Sequence, residues 1–154
     1  MRVEKRRTIA APRQQVWDLV SDPRCYPQFM AGLVVSEVVG DQSIGCGSRF
    51  SVRLMVGAAA LGGTMETVEF EPPGDLAWNS VRGIDVRGRW RLRERVPGRT
   101  EVTFRLAYQS PGGLLSVLAD RVASRAVARL MATSLRQLSE VVENGTGPQP
   151  ASLP

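Results

Sequence analysis

From residue 115 to residue 143 the chain carries neither proline nor glycine, the two residues that most readily break a helix. Leu118, Val122, Ala126, Leu130, Leu138 and Val141 recur there near helical spacing, while Arg121, Arg125, Arg129 and Arg136 fall on the opposite side. The pattern predicts one long amphipathic helix, with Asn144-Gly145 as its C-terminal stop. The Gly/Pro/Ser-rich residues from Thr146 to Pro154 are expected to form a flexible tail, leaving residues 1–144 as a single domain.

Before that helix the apolar period is two, the mark of strands with one buried face. Strands are predicted at residues 2–9, Leu33–Val39, Ser48–Met55, Thr64–Phe70, Leu76–Arg82, Val86–Val96 and Thr100–Gln109. Glu71-Pro72-Pro73-Gly74, Gly83-Ile84-Asp85 and Pro97-Gly98-Arg99 separate the later ones with turn chemistry, and such short connections imply antiparallel hairpins. Two strands are explicit: Trp90 and Leu92 oppose Arg87, Arg89, Arg91 and Arg93, and Val102, Phe104, Leu106 and Tyr108 oppose Thr103 and Arg105. The sheet therefore has an apolar face and a charged face. Between the first and second strands, Pro12 to about Val20 reads as a short helix. Asp22-Pro23 reads as the N-cap and first residue of another, ended or bent by Pro27. The fold class is α+β.

Composition narrows the chemistry. The 154 residues are 43% apolar and 23% charged, as in an ordinary globular protein, and they contain no histidine. That removes the Ser-His-Asp and Cys-His arrangements and the commonest general base and metal ligand, so any reaction must run on Asp, Glu, Tyr, Arg or Cys. Cys25 and Cys46 are too few and too distant for a metal cluster and are expected as free thiols; no metal and no cofactor are expected. The start MRVEKRRTIAAP lacks the apolar core of a secretory signal, and no stretch is long and apolar enough to span a membrane, so the cytoplasm is the expected compartment. The net charge of +5 rests on arginine, since Lys5 is the only lysine.

The order strand, two short helices, about six strands and a long C-terminal helix resembles the helix-grip fold of the START-like and polyketide cyclase/dehydrase superfamily. Ala11-Pro12, Val16-Trp17-Asp18-Leu19-Val20-Ser21-Asp22-Pro23, Tyr26-Pro27 and Phe29 are similar to that family's opening segment. Glu71-Pro72-Pro73 ahead of the Trp78 strand, Trp90, and the Thr100–Tyr108 strand extend the resemblance over nearly the whole chain. It implies a curved antiparallel sheet of about seven strands wrapped around the long helix, with a cavity between them for a lipid, steroid, polyketide or other hydrophobic small molecule.

On that resemblance the cavity lining would come from Phe50, Val52, Leu54, Trp78, Trp90, Phe104 and Leu106 of the sheet and Leu118, Val122 and Met131 of the helix. Trp17, Tyr26 and Phe29 would join from the short helices; the alternative for each is packing alone, since cores use the same side chains. Tyr26, Ser80 and Tyr108 could offer hydroxyls to a ligand or satisfy local backbone. Glu69, Glu94 and Arg82 would face inward only if the strand register were shifted by one residue.

Two apolar loops, Val56–Gly63 and Gly112-Gly113-Leu114-Leu115, could gate a cavity, make transient membrane contact, or pack on the sheet edge. The arginines at 49, 53, 87, 89, 91, 93 and 105 would form a positive outer stripe, with Glu101 and Glu66 as cross-strand partners. No aromatic residues interleave there, so nucleic acid is not expected as a partner. Three functions follow. The leading one is binding, with possible transport, of a hydrophobic small molecule by a monomer or homodimer; the others are a polyketide aromatase/cyclase or dehydratase and a ribosome- or membrane-associated interaction protein.

Overall fold

A computed structural model describes residues 1–40, 44–109 and 116–145, with residues 116–122 described by backbone alone. Seven strands form one sheet in the order β1-β7-β6-β5-β4-β3-β2, every neighbouring pair antiparallel. They are β1 Arg2–Ile9, β2 Leu33–Val39, β3 Arg49–Val56, β4 Ala59–Glu71, β5 Asp75–Gly83, β6 Val86–Val96 and β7 Arg99–Tyr108. Helix α1, Arg13–Val20, and a 3₁₀ helix, Pro23–Gln28, separate β1 from β2, and α2, Ser116–Glu143, follows β7. This is the helix-grip arrangement. No helix among the described residues is long and apolar enough to cross a membrane.

The local chemistry explains the entry to the sheet. Pro12 is extended (φ −62°, ψ 147°) immediately before α1, where its missing N–H costs no helical hydrogen bond. Asp22 caps the 3₁₀ helix: its carboxylate accepts from Arg24 N at 2.9 Å, and Pro23 follows it at the first helical position. The tighter 3₁₀ winding allows Pro27 to sit inside the element, and the chain then turns out through Phe29.

In β6, Val86, Gly88, Trp90 and Leu92 are buried on the concave face, while Arg87, Arg91 and Arg95 stand exposed on the convex face. The core lies on the concave side. There Ile9, Leu76, Trp90, Leu92, Val102 and Phe104 of the sheet meet Val16, Trp17, Leu19 and Val20 of α1 and Met131, Leu135 and Leu138 of α2. Ser134 fixes the long helix in place: its hydroxyl accepts from Ala31 N at 2.9 Å and donates to the Leu130 carbonyl at 2.7 Å.

Two expectations are corrected. The predicted glycine-rich hairpin tip Val56–Gly63 is a turn at Gly57-Ala58 alone; Val56 pairs with Ala59, and Ala59–Gly63 belong to β4, which therefore starts well before Thr64. Gly57 takes φ +60°, which lets the turn close in two residues. The glycines that follow serve close approach, because a Cβ at Gly63 would come 2.5 Å from the Arg82 carbonyl oxygen. On α2 the buried row is Met131, Ser134, Leu135, Leu138 and Val142, whereas Ala126, Leu130 and Val141 of the predicted row are only half-buried. The helix is rotated so that a neighbouring stripe faces the sheet. The loop Gly112-Gly113-Leu114-Leu115 and the tail from Thr146 lie outside the described residues.

Candidate functional site

The antiparallel register sets the concave face out in rows. Phe70, Leu76, Trp90, Phe104 and Lys5 stand side by side across β4, β5, β6, β7 and β1; the next row holds Trp78, Gly88, Leu106 and Val3. Trp78 fits because its partner across the strand is Gly88: a Cβ there would run into the six-membered part of the indole. Sequence reading missed this pairing, which only the register reveals.

At one end the face is closed by aromatic packing. Phe104 stacks on Trp90 at 3.9 Å between ring centres, Phe29 meets Trp90 edge-on at 6.0 Å, and Tyr26 meets Phe29 at 5.7 Å and Phe50 at 6.1 Å. Phe50 in turn meets Trp78 edge-on at 6.0 Å, and Trp17 packs on Phe70 at 5.4 Å. Such pairs contribute about 0.5–1.5 kcal/mol each beyond the area they bury. Trp17, Tyr26, Phe29, Phe50, Trp78, Trp90, Phe104 and Met131 are all buried here.

Toward the other end the described lining is only partly buried. Val3, Val52, Ile84, Leu106 and Tyr108, with Val127 of α2, pack against the core but remain half-buried, as does Leu54 further along β3. Trp78 stands at the boundary between the two ends. Leu118 and Val122 belong to the part of α2 whose side chains lie outside the described residues.

The polar groups on this face are few. The Tyr26 hydroxyl donates to the Val20 carbonyl at 3.1 Å, and burial first, then the charge of Asp22, pushes its pKa well above the usual phenol range. Ser80 Oγ accepts from Val86 N at 3.1 Å. The indole nitrogens of Trp78 and Trp90 are both buried, and no acceptor among the described residues bonds to either. The Trp90 indole lies beside the Tyr26 hydroxyl without reaching hydrogen-bonding geometry. A buried donor left in this state costs about 1–3 kcal/mol.

Register bulges lie beside Glu69, Arg82 and Glu94, and none of the three is among the buried residues of the core. Glu69 pairs with Arg89 on the convex side at 2.6 Å, Glu94 accepts from the Arg13 backbone N–H, and Arg82 is exposed. Besides the aromatic residues above, the buried polar side chains among the described residues are the hydroxyls of Ser48, Thr67, Thr100, Ser134 and Ser139. No group of three or more His, Cys, Asp or Glu side chains among them could hold a metal. The face can bury apolar surface and donate hydrogen bonds.

On the convex face the arginine stripe is extensively paired. Arg93 and Arg91 reach Asp75 at 3.0 and 3.4 Å, Arg105 and Arg6 reach Glu4 at 2.6 and 2.9 Å, and Arg49 reaches Glu66 at 2.8 Å. Glu66 is the partner expected from the sequence; Glu69, Asp75 and Glu4 supply the remainder, and Glu101 stands directly across from Arg93.

The profile of a family described as polyketide cyclase / dehydrase and lipid transport matches residues 1–143. Among solved structures, TTHA0849 from Thermus thermophilus superposes with a TM-score of 0.82 at 19% identity, over 96% of this chain and 100% of that one. The Zhui aromatase/cyclase from a Streptomyces species gives 0.79 at 18% identity, over 95% of each chain. DR_A0006 from Deinococcus radiodurans gives 0.68 at 23% identity, over 94% of this chain and 98% of that one. No curated protein matches the sequence.

Proposed function

Since the chain belongs to the polyketide cyclase / dehydrase and lipid transport family, we propose that it binds a hydrophobic small molecule at the partly buried end of the grip, between the sheet and α2. The observation that carries this reading is the half-buried apolar set Val3, Val52, Ile84, Leu106 and Tyr108, gathered on one concave surface beside a buried indole N–H without an acceptor among the described residues. Apolar area removed from water stabilises a complex by roughly 25 cal/mol per Å², so such a surface supplies affinity. Trp78 Nε1 then orients the ligand by donating to a carbonyl or hydroxyl oxygen. Ser80, whose oxygen accepts from Val86, offers a second hydroxyl for the same purpose.

Thermal unfolding against a panel of fatty acids, steroids and aromatic polyketides tests this, because a ligand that binds only the folded state raises its melting temperature. One class is expected to raise it for the natural protein and not for Leu106→Glu, which places a carboxylate in that lining. Equal response of the two proteins, or no response to any class, contradicts the reading.

A further inference from the structure

The convex face carries a second concavity that the binding reading leaves unused. It is a cleft of about 150 Å³ lined by six arginines, Arg6, Arg89, Arg91, Arg93, Arg95 and Arg105, together with Thr103 and Glu101. Strand register explains why a hollow forms there. Thr103 on β7 lies directly between Arg6 on β1 and Arg91 on β6. One row along, Arg105 stands between Glu4 and Arg89; one row the other way, Glu101 stands between Thr8 and Arg93. A short hydroxyl side chain is thus ringed by long guanidinium ones, and the space above it is the cleft.

We propose that this cleft binds the phosphate or diphosphate group of a small molecule. Six guanidiniums line the cleft, and the carboxylates that pair with them or join the lining are Glu4, Glu69, Asp75 and Glu101, which leaves an excess of two positive charges. A phosphomonoester carries about −1.5 to −2 at neutral pH. Arginine pairs with phosphate through two parallel N–H···O bonds, and Thr103 adds a hydroxyl donor at the centre.

Arg89 and Arg105 are direct cross-strand neighbours, and like charges in that relation destabilise a sheet. Glu69 and Glu4 offset this only from the outer sides of the pair.

The pairing carboxylates Glu4, Glu69 and Asp75 sit around the arginines of the cleft, and Arg87 and Arg2 stand one row further along the same face. A nucleic-acid backbone following the face would run onto those carboxylates, and the lining holds no aromatic ring to stack a base. An anionic membrane would find no apolar side chain in the lining to insert. A compact anion fits all three observations.

The test uses inorganic pyrophosphate and inorganic phosphate as probes, by isothermal titration calorimetry on the full chain at low salt, against sodium chloride at matched ionic strength. Saturable one-site binding of at least one probe is expected, weakening as salt rises. Arg91→Gln with Arg105→Gln should weaken it roughly ten- to a hundredfold, the worth of one or two lost charge-assisted hydrogen bonds. Each replacement leaves its carboxylate another arginine, Arg93 for Asp75 and Arg6 for Glu4, so the fold is kept; a single cooperative thermal unfolding transition in the double variant is the control. Thr103→Val, which keeps the shape and removes the hydroxyl, should weaken binding several-fold. Heats equal to those of chloride, or binding that the double variant leaves intact, overturn the proposal. So does a protein that ignores both probes but binds single-stranded RNA or anionic vesicles.

Discussion

The indole of Trp90 lies flat against the ring of Phe104, with ring centres 3.9 Å apart and planes 1° from parallel. The two residues are direct partners across β6 and β7, both are buried, and Phe29 closes over the indole edge-on. Here the sheet is fastened to the helical layer. Trp90→Ala or Phe104→Ala should therefore cost about 3–5 kcal/mol of stability, a range set by large-to-small substitutions in cores. Urea unfolding would show the midpoint fall with little change in slope. A cost below about 1 kcal/mol would mean the stack is peripheral.

Gly88→Ala is predicted to act through Trp78. The added methyl would occupy space held by the indole, and both groups are attached to paired strands that cannot part without breaking the ladder. Overpacking of this kind costs about 1–3 kcal/mol. The displaced indole would become hydrated, so its fluorescence should shift to the red, and any apolar ligand should bind more weakly.

The two thiols should differ in reactivity. Cys25 is buried, and burial first, then the nearby Asp22 charge, pushes its pKa from 9.0 to about 11; Cys46 is exposed. One equivalent of a thiol reagent should react in the native protein at about pH 8, and two after denaturation. The linkage sign follows: between pH 9.0 and about 11 the unfolded chain releases this proton while the native state retains it, so stability falls as pH rises through that window. Replacing Cys25 with alanine should flatten the alkaline limb of a stability–pH curve.

Acid should weaken the convex face. Burial raises the Asp75 carboxyl, but the guanidiniums of Arg93 and Arg91 outweigh it and hold the pKa below its ordinary 3.8; hydrogen bonds from Arg105 and then Arg6 hold Glu4 below 4.5. Folded-state values below unfolded ones contribute stability that is present above the unfolded pKa and lost as pH falls through the folded pKa. Thermal unfolding should show that loss below about pH 4, smaller in Arg105→Gln. Exposed pairs of this type contribute at most about 1 kcal/mol each, so a loss of several kcal/mol from them would be unexpected.

Much of the architecture is legible in the residues because burial on one face of a sheet writes period two into the chain. Trp90 and Leu92 against Arg91 and Arg93 could take only one orientation. Asp22-Pro23 announces its helix because the carboxylate and the missing N–H are both local devices. The apolar run Val56–Gly63 carries no such alternation, and small side chains fit turn and strand equally, so the pattern makes β4 too short. On α2 two apolar stripes lie side by side, and the curvature of the sheet decides which one it grips. That choice puts Met131, Leu135 and Val142 in the core, anchored by the Ser134 contact to Ala31. The partly buried end of the concave face, and the cleft around Thr103, depend on pairing between strands distant in sequence. Neither Gly88 beneath Trp78 nor Thr103 between Arg6 and Arg91 leaves a local signal.

Whether this chain holds a hydrophobic small molecule in its grip can be read by native mass spectrometry of the purified protein, followed by solvent extraction and identification of what is released. A discrete added mass from an apolar compound is expected, reduced in Leu106→Glu. A chain of bare mass that stays unliganded after incubation with fatty acids, steroids and aromatic polyketides would contradict such binding.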